Sequence, residues 1–236
     1  MEELTGYDGR IMATLRGLLR PGFLTGEYLA GRRAHYLPPL RVYLIVSVIY
    51  FVVAAAAPTL GDDDGPAGLK ISVNDTTQLT QEERATMQTE IDEAMWWLRP
   101  MLKAMLEEPQ VFRARLFTVM PRVFFALLPV FAGIVALFYR GRNFPTALVF
   151  AVHLHAFAFV VFTITEALKY TRNEHLAERL GAIIGIVFMV YALKAFRAVF
   201  GGGWPVTIAK AMAIGLVYMV AAIPSFGVIF LWASWT

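Results

Sequence analysis

The chain has 236 residues, of which 58% are hydrophobic and 17% are charged, and its formal net charge at pH 7 is +3. Its mean hydropathy of +0.57 is too high for a soluble globular domain. The absence of cysteine excludes disulfides, iron–sulfur clusters and cysteine-based zinc sites. The isoelectric point is basic, near 9.2, and we attribute it to positive residues that determine membrane topology. No nucleic-acid partner is therefore expected.

Residues 1–39 are predicted to form a basic leader that lies at the membrane interface. Apolar side chains recur on one face of its first helix, as in interfacial amphipathic helices. Its arginines are interpreted as candidates for binding anionic lipid headgroups: Arg16, Arg20, Arg32 and Arg33. The alternative is that these charges only determine topology, because positive residues remain on the cytoplasmic side.

Five apolar runs follow, and a hydrocarbon core of about 30 Å requires roughly 20 helical residues for each span. The runs lie at 40–57, 121–139, 144–168, 182–200 and 206–235. The first run follows a long charged leader, so we expect an uncleaved anchor. The predicted fold is all-α, a polytopic transmembrane bundle of about five spanning helices with the interfacial leader and one extramembrane helix.

The segment 58–120 is predicted to lie outside the bilayer. Thr80 and Glu83 form a capping-box pattern, and apolar residues then recur at helical spacing, which predicts an amphipathic helix at about 80–98. This helix is expected to pack on its own bundle, with a partner protein as the alternative. The leader and the turn bearing Arg140 and Arg142 are basic, whereas this segment contains most of the acids. The N-terminus is therefore predicted to be cytoplasmic.

The third run contains His153, His155 and Glu166, and ionisable groups inside a membrane suggest a pathway or a ligand site. Two residues apart on a helix, the histidines point about 200° from each other, so they are not expected to bind one metal together. His155 and Glu166 share a face but lie about 16 Å apart along the axis. They are candidates for a proton relay. The alternative is that the histidines are neutral and join helices by hydrogen bonds.

Gly181 and Gly185 form a GxxxG pattern, which predicts close helix packing. The sequence contains no nucleophile elbow, HExxH motif or nucleotide fingerprint. No catalytic residue, metal or cofactor is therefore predicted.

Several blocks resemble an uncharacterised bacterial inner-membrane family of unknown function. They are the segments 14–22, 27–33 and 36–39 of the leader and the segment 149–157 around the two histidines. The resemblance implies a multi-pass protein of the bacterial inner membrane. Family members often carry a zinc ribbon before the membrane region, whereas this sequence has neither cysteine nor such a module.

Three functions are consistent with these features. The first is a non-enzymatic scaffold or accessory subunit that binds other membrane proteins as well as lipid. The second is a proton-linked transporter or channel that uses His155 and Glu166. The third is a lipid-modifying enzyme with a histidine base and an arginine that holds a phosphate. This third function is disfavoured because the histidines are expected near mid-helix and the arginines near the cytoplasmic face.

Overall fold

The computed structural model of the chain describes residues 2–56, 88–89, 91–96, 99–107, 109–171 and 173–235. Every regular element in these ranges is a helix. Five helices are long and apolar enough to cross a membrane: Arg33–Ala56, Phe117–Phe138, Phe144–Thr171, His175–Phe200 and Trp204–Pro224. The prediction of an all-α protein with five spanning helices is therefore confirmed, and the protein is a multi-pass membrane protein.

The α-helices whose two ends lie in the described part of the chain are, in order, α1 (Glu2–Leu18), α2 (Phe23–Leu29), α3 (Pro39–Ala56), α4 (Arg99–Glu107), α5 (Pro109–Phe138), α6 (Phe144–Leu168), α7 (Glu174–Phe200) and α8 (Trp204–Trp235). Short 3₁₀ turns cover Arg33–His35 and Lys169–Thr171. Helix α7 begins before the apolar run because Asn173 caps it, its Oδ1 accepting a hydrogen bond from the Leu176 N–H at 3.1 Å. Apolar runs alone do not detect such polar first turns.

The chain divides into two compact units, of which the first contains residues 1–58 and 126–221. The second contains residues 59–125 and 222–236. Within the second unit, Lys103 Nζ lies 3.4 Å from Asp92 Oδ1, and both side chains are exposed. The predicted amphipathic helix at 80–98 lies largely outside the described residues.

Helix α6 is the centre of the first unit. In its apolar segment 61% of the residues are buried, against 11% to 33% for the other four candidate spans. It packs on α3, where the rings of Phe159 and Tyr43 meet edge to face at 5.5 Å between centroids. It also packs on α7, where Phe157 stacks on Tyr191. Polar side chains of α6 are therefore placed against protein, where they can bond to other helices.

The leader is packed into the first unit rather than lying separate from it. Leu18 and Leu24 are 2% and 4% exposed, whereas Leu15, from the predicted amphipathic face, is 44% exposed. The Tyr191 hydroxyl donates to the Leu18 carbonyl at 2.7 Å, which joins the end of α1 to α7. The Thr14 hydroxyl accepts from the Leu37 N–H at 2.9 Å and so joins α1 to the segment before α3.

The turn between α1 and α2 fits closely against α7 at Gly22. This residue has φ +73°, a left-handed conformation that favours glycine. A Cβ atom at this position would lie 2.8 Å from Ala198 Cβ and 3.1 Å from the Ala195 carbonyl oxygen. Glycine is therefore required here for two separate reasons, its backbone conformation and its lack of a side chain.

Candidate functional site

His153 joins the leader to the central helix. Its Nδ1 atom lies 3.0 Å from the Thr25 hydroxyl of α2, and both side chains are buried. The two residues are 128 positions apart in the sequence. This hydrogen bond satisfies one ring nitrogen of His153 and leaves Nε2 as the nitrogen available to a ligand.

Both ring nitrogens of His155 have a hydrogen-bond partner. Its Nδ1 lies 2.8 Å from the Ala151 carbonyl oxygen, and because a carbonyl only accepts, Nδ1 carries the proton. Nε2 then accepts from the Tyr218 hydroxyl of α8 at 3.0 Å. The Phe131 ring of α5 meets both rings edge to face, at 5.0 Å from His155 and 4.9 Å from Tyr218. His155 therefore links three helices.

The two histidines bond to different parts of the first unit, as their spacing predicts. His153 bonds to the leader, whereas His155 bonds to α8. Within the described residues, no group of three His, Asp or Glu side chains is arranged to hold a metal ion.

Glu166 makes a local ion pair with Lys169, whose Nζ lies 2.8 Å from Oε2. Its side chain is 13% exposed. It lies eleven residues after His155 on one continuous helix, which corresponds to about 16 Å along the axis. Each member of the predicted relay is therefore bonded to a partner other than the next member. The relay remains a prediction.

The leader arginines differ in their surroundings. Arg32 donates to Glu27, with Nε 2.7 Å from Oε2, and this hydrogen bond lowers the pKa of the Glu27 carboxyl. The Arg20 guanidinium lies over the Phe23 ring at 5.5 Å, and Arg16 is exposed in the last turn of α1. Arg16 and Arg20 thus keep exposed charges, whereas the charge of Arg32 is partly neutralised.

Arg33 and His153 line the same cavity, whose volume is about 180 Å³. The sequence predicts the histidines near mid-helix and the arginines near the cytoplasmic face, and it does not predict that Arg33 and His153 share a cavity. The leader folds back onto α6, so that the residues of α2 and the following turn reach His153. Leu24, Tyr28 and Tyr36 complete most of the wall. We call this space the leader cavity.

A second, more open cavity of about 570 Å³ lies at the turn between α5 and α6. Arg140, Arg142 and Lys210 line it. Lys210 donates to the Phe138 carbonyl at 3.0 Å and lies over the Tyr139 ring at 4.4 Å. Because its three cations lie where basic residues also determine topology, this cavity is a weaker indication of a ligand site.

The two glycines of the GxxxG pair, Gly181 and Gly185, have different surroundings. A Cβ on Gly181 would lie 3.9 Å from Thr165 Cγ2 of α6, an ordinary van der Waals contact. A Cβ on Gly185 would meet no atom of another helix within 4 Å among the described residues. Helix packing through this pair stays a prediction.

Comparison with known protein families gives a match in the first part of the chain. Residues 8–51, less than a fifth of the sequence, match the family described as "Protein of unknown function (DUF3667)". No match was found among curated proteins or solved structures. The match supports the resemblance to an uncharacterised family. The match covers the leader from residue 8 and most of α3. Leu24, Tyr28, Arg33 and Tyr36 of the leader cavity lie within it, whereas His153 lies outside it.

Proposed function

We propose that the protein is a non-enzymatic scaffold or accessory subunit of a membrane assembly. The observation that carries this proposal is the bonding of His155, whose two ring nitrogens are both engaged with protein partners. A relay group must exchange protons, whereas this ring joins α5, α6 and α8 as a neutral hydrogen-bonding element. The ion pair of Glu166 with Lys169 supports the same interpretation.

An apolar face of α8 offers a surface for a partner helix. Met212, Leu216 and Met219 recur at helical spacing and are between 67% and 69% exposed. In a membrane such a face contacts either lipid or a neighbouring protein. We further propose that Arg16 and Arg20 contact anionic lipids of a bacterial inner membrane, with the N-terminus in the cytoplasm.

A measurement of proton flux distinguishes the scaffold function from the transporter alternative. The protein is reconstituted in liposomes with an imposed pH gradient, alongside His155→Ala, Glu166→Gln and His175→Ala, the last a control at an exposed histidine of α7. We expect no flux above empty liposomes in any sample. Flux in wild type and His175→Ala that is lost in both other variants would overturn the scaffold proposal.

Photo-crosslinking in native membranes tests the scaffold function directly. A photoreactive residue is placed at 212, 216 or 219, and at Leu137 of α5 as a control that is 65% exposed. We expect one discrete protein adduct, of the same mass at all three α8 positions and absent at Leu137. Lipid adducts alone at all four positions would contradict the proposal.

A further inference from the structure

The leader cavity has the features of a small ligand site rather than of a packing defect. It lies between the leader and α6, and its wall combines apolar and aromatic side chains with a cation, Arg33, and a buried histidine, His153. Ligand sites typically combine an apolar wall with a few fixed polar groups. His153, which is only 6% exposed, provides such a fixed group.

The two polar residues of the cavity are both held in position. The guanidinium of Arg33 lies 4.6 Å from the centre of the Tyr28 ring, which restrains its position by a cation–π interaction. The ring of His153 is oriented by the hydrogen bond between Nδ1 and Thr25. When the Thr25 hydroxyl donates this bond, Nε2–H is the donor that remains for a ligand.

The charge of the cavity selects an anion. Arg33 is the charged residue of its wall, and Glu27, the acid of α2, is paired with Arg32. A guanidinium presents a planar set of donors that matches phosphate oxygens. The cavity also lies beside the start of α3, and Pro38 lines it. A spanning helix starts at the level where lipid phosphates are found.

We propose that the leader cavity binds a phosphate group, with Arg33 as its charge partner and His153 as a hydrogen-bond donor. The phosphate belongs either to an anionic lipid headgroup or to a small soluble phosphate compound. The site goes beyond the scaffold function, because it assigns a ligand to the leader and does not depend on a partner protein.

Calorimetric titration of the full chain in an uncharged detergent tests the proposal. Three probes are used: dihexanoyl phosphatidylglycerol, glycerol 3-phosphate and inorganic phosphate. We expect Arg33→Gln to weaken binding by about tenfold, since a charge-assisted hydrogen bond is lost. Arg142→Gln removes an arginine that does not line this cavity, and it should change affinity by less than about twofold.

Two further variants keep the test informative if Arg33→Gln does not fold. Arg33→Lys retains the charge without the planar donors and should weaken binding less than Arg33→Gln. His153→Asn places an amide where Nδ1 meets Thr25 and removes the ring nitrogen offered to the ligand, so we expect weaker binding with the leader still docked.

The probes distinguish the two sources of phosphate. Binding of the lipid alone indicates a headgroup site, whereas binding of all three probes indicates a site that also takes soluble phosphates. Either result supports the proposal if Arg33→Gln weakens the binding of the probe and Arg142→Gln does not. Absence of heat with every probe, or equal weakening by both arginine variants, would overturn it.

Discussion

Tyr218 donates a hydrogen bond to His155, with its hydroxyl oxygen 3.0 Å from Nε2. This direction holds for the neutral ring, in which Nδ1 donates to the Ala151 carbonyl and Nε2 is left as an acceptor. The Phe131 ring contacts both side chains, so the hydrogen bond is partly covered by an aromatic group. This polar pair thereby joins α6 to α8 by a hydrogen bond between side chains.

Replacing Tyr218 by Phe leaves Nε2 of His155 without its donor. We expect the free energy of unfolding to fall by about 1 kcal/mol, as for other hydrogen bonds between membrane helices. Thermal unfolding in detergent measures this change. Tyr170→Phe, at a side chain that is 50% exposed, provides the control and should shift stability by less than about 0.5 kcal/mol. Equal melting temperatures for the two variants would show that the bond to His155 adds nothing.

Two glycines separate the effect of backbone conformation from that of close packing. Gly22 and Gly31 both have positive φ, at +73° and +81°, but only Gly22 has neighbours where a Cβ would lie. Gly31→Ala should cost about 1 kcal/mol from the left-handed conformation alone. Gly22→Ala should cost about 1–3 kcal/mol more, because its Cβ would overlap with Ala198.

Thermal unfolding of both alanine variants, combined with trypsin cleavage of the leader, measures these costs. We expect Gly22→Ala to expose the arginines of α1 to trypsin, whereas Gly31→Ala should be cleaved as the wild type is. If the two variants lose the same stability, the contact of the leader turn with α7 contributes little.

The pair of Glu27 and Arg32 predicts a dependence on pH. The hydrogen bond from Arg32 lowers the pKa of Glu27 below its usual value of 4.5. A lowered pKa in the folded state means that this carboxylate stabilises the fold above pH 4.5 and that the contribution disappears as pH falls through the folded-state pKa. Both groups are at the surface, so the effect is small.

Glu27→Gln should therefore melt slightly below the wild type at pH 7 in low salt, and the difference should vanish in acid, at a pH below the folded-state pKa of Glu27. The melting temperatures of the two proteins at both pH values provide the measurement. Added salt should reduce the difference at pH 7, because exposed charges are screened. A difference that persists unchanged in acid would assign the effect to packing instead of charge.

The sequence was sufficient to predict the fold class and the number of spans, because a run of about 20 consecutive apolar residues indicates a membrane-spanning helix. It also predicted that His153 and His155 point in different directions, since that follows from helix geometry alone. The identity of those partners was not predictable. Thr25 and Tyr218 carry no periodic signal, and they meet the histidines only through the packing of distant helices.

The leader shows the same limit. Pro21 and Gly22 were readable as the end of a helix, but the need for a missing Cβ at Gly22 arises from Ala195 and Ala198, more than 170 positions later. The cavity that joins Arg33 to His153 was missed because the basic residues were interpreted as a surface feature. The available signal was Thr25, a polar residue directly after Phe23 and Leu24, and such residues are too common to be diagnostic.

The bond from Tyr191 to Leu18 also fixes an order of assembly. The leader is synthesised first, yet the residue that holds the end of α1 follows 173 positions later, in the fourth span. At typical synthesis rates of about 5–20 residues per second, this interval lasts roughly 9–35 s. During that time α1 lacks its hydrogen bond to α7. The end of α1 therefore reaches its final position only after α7 has been synthesised.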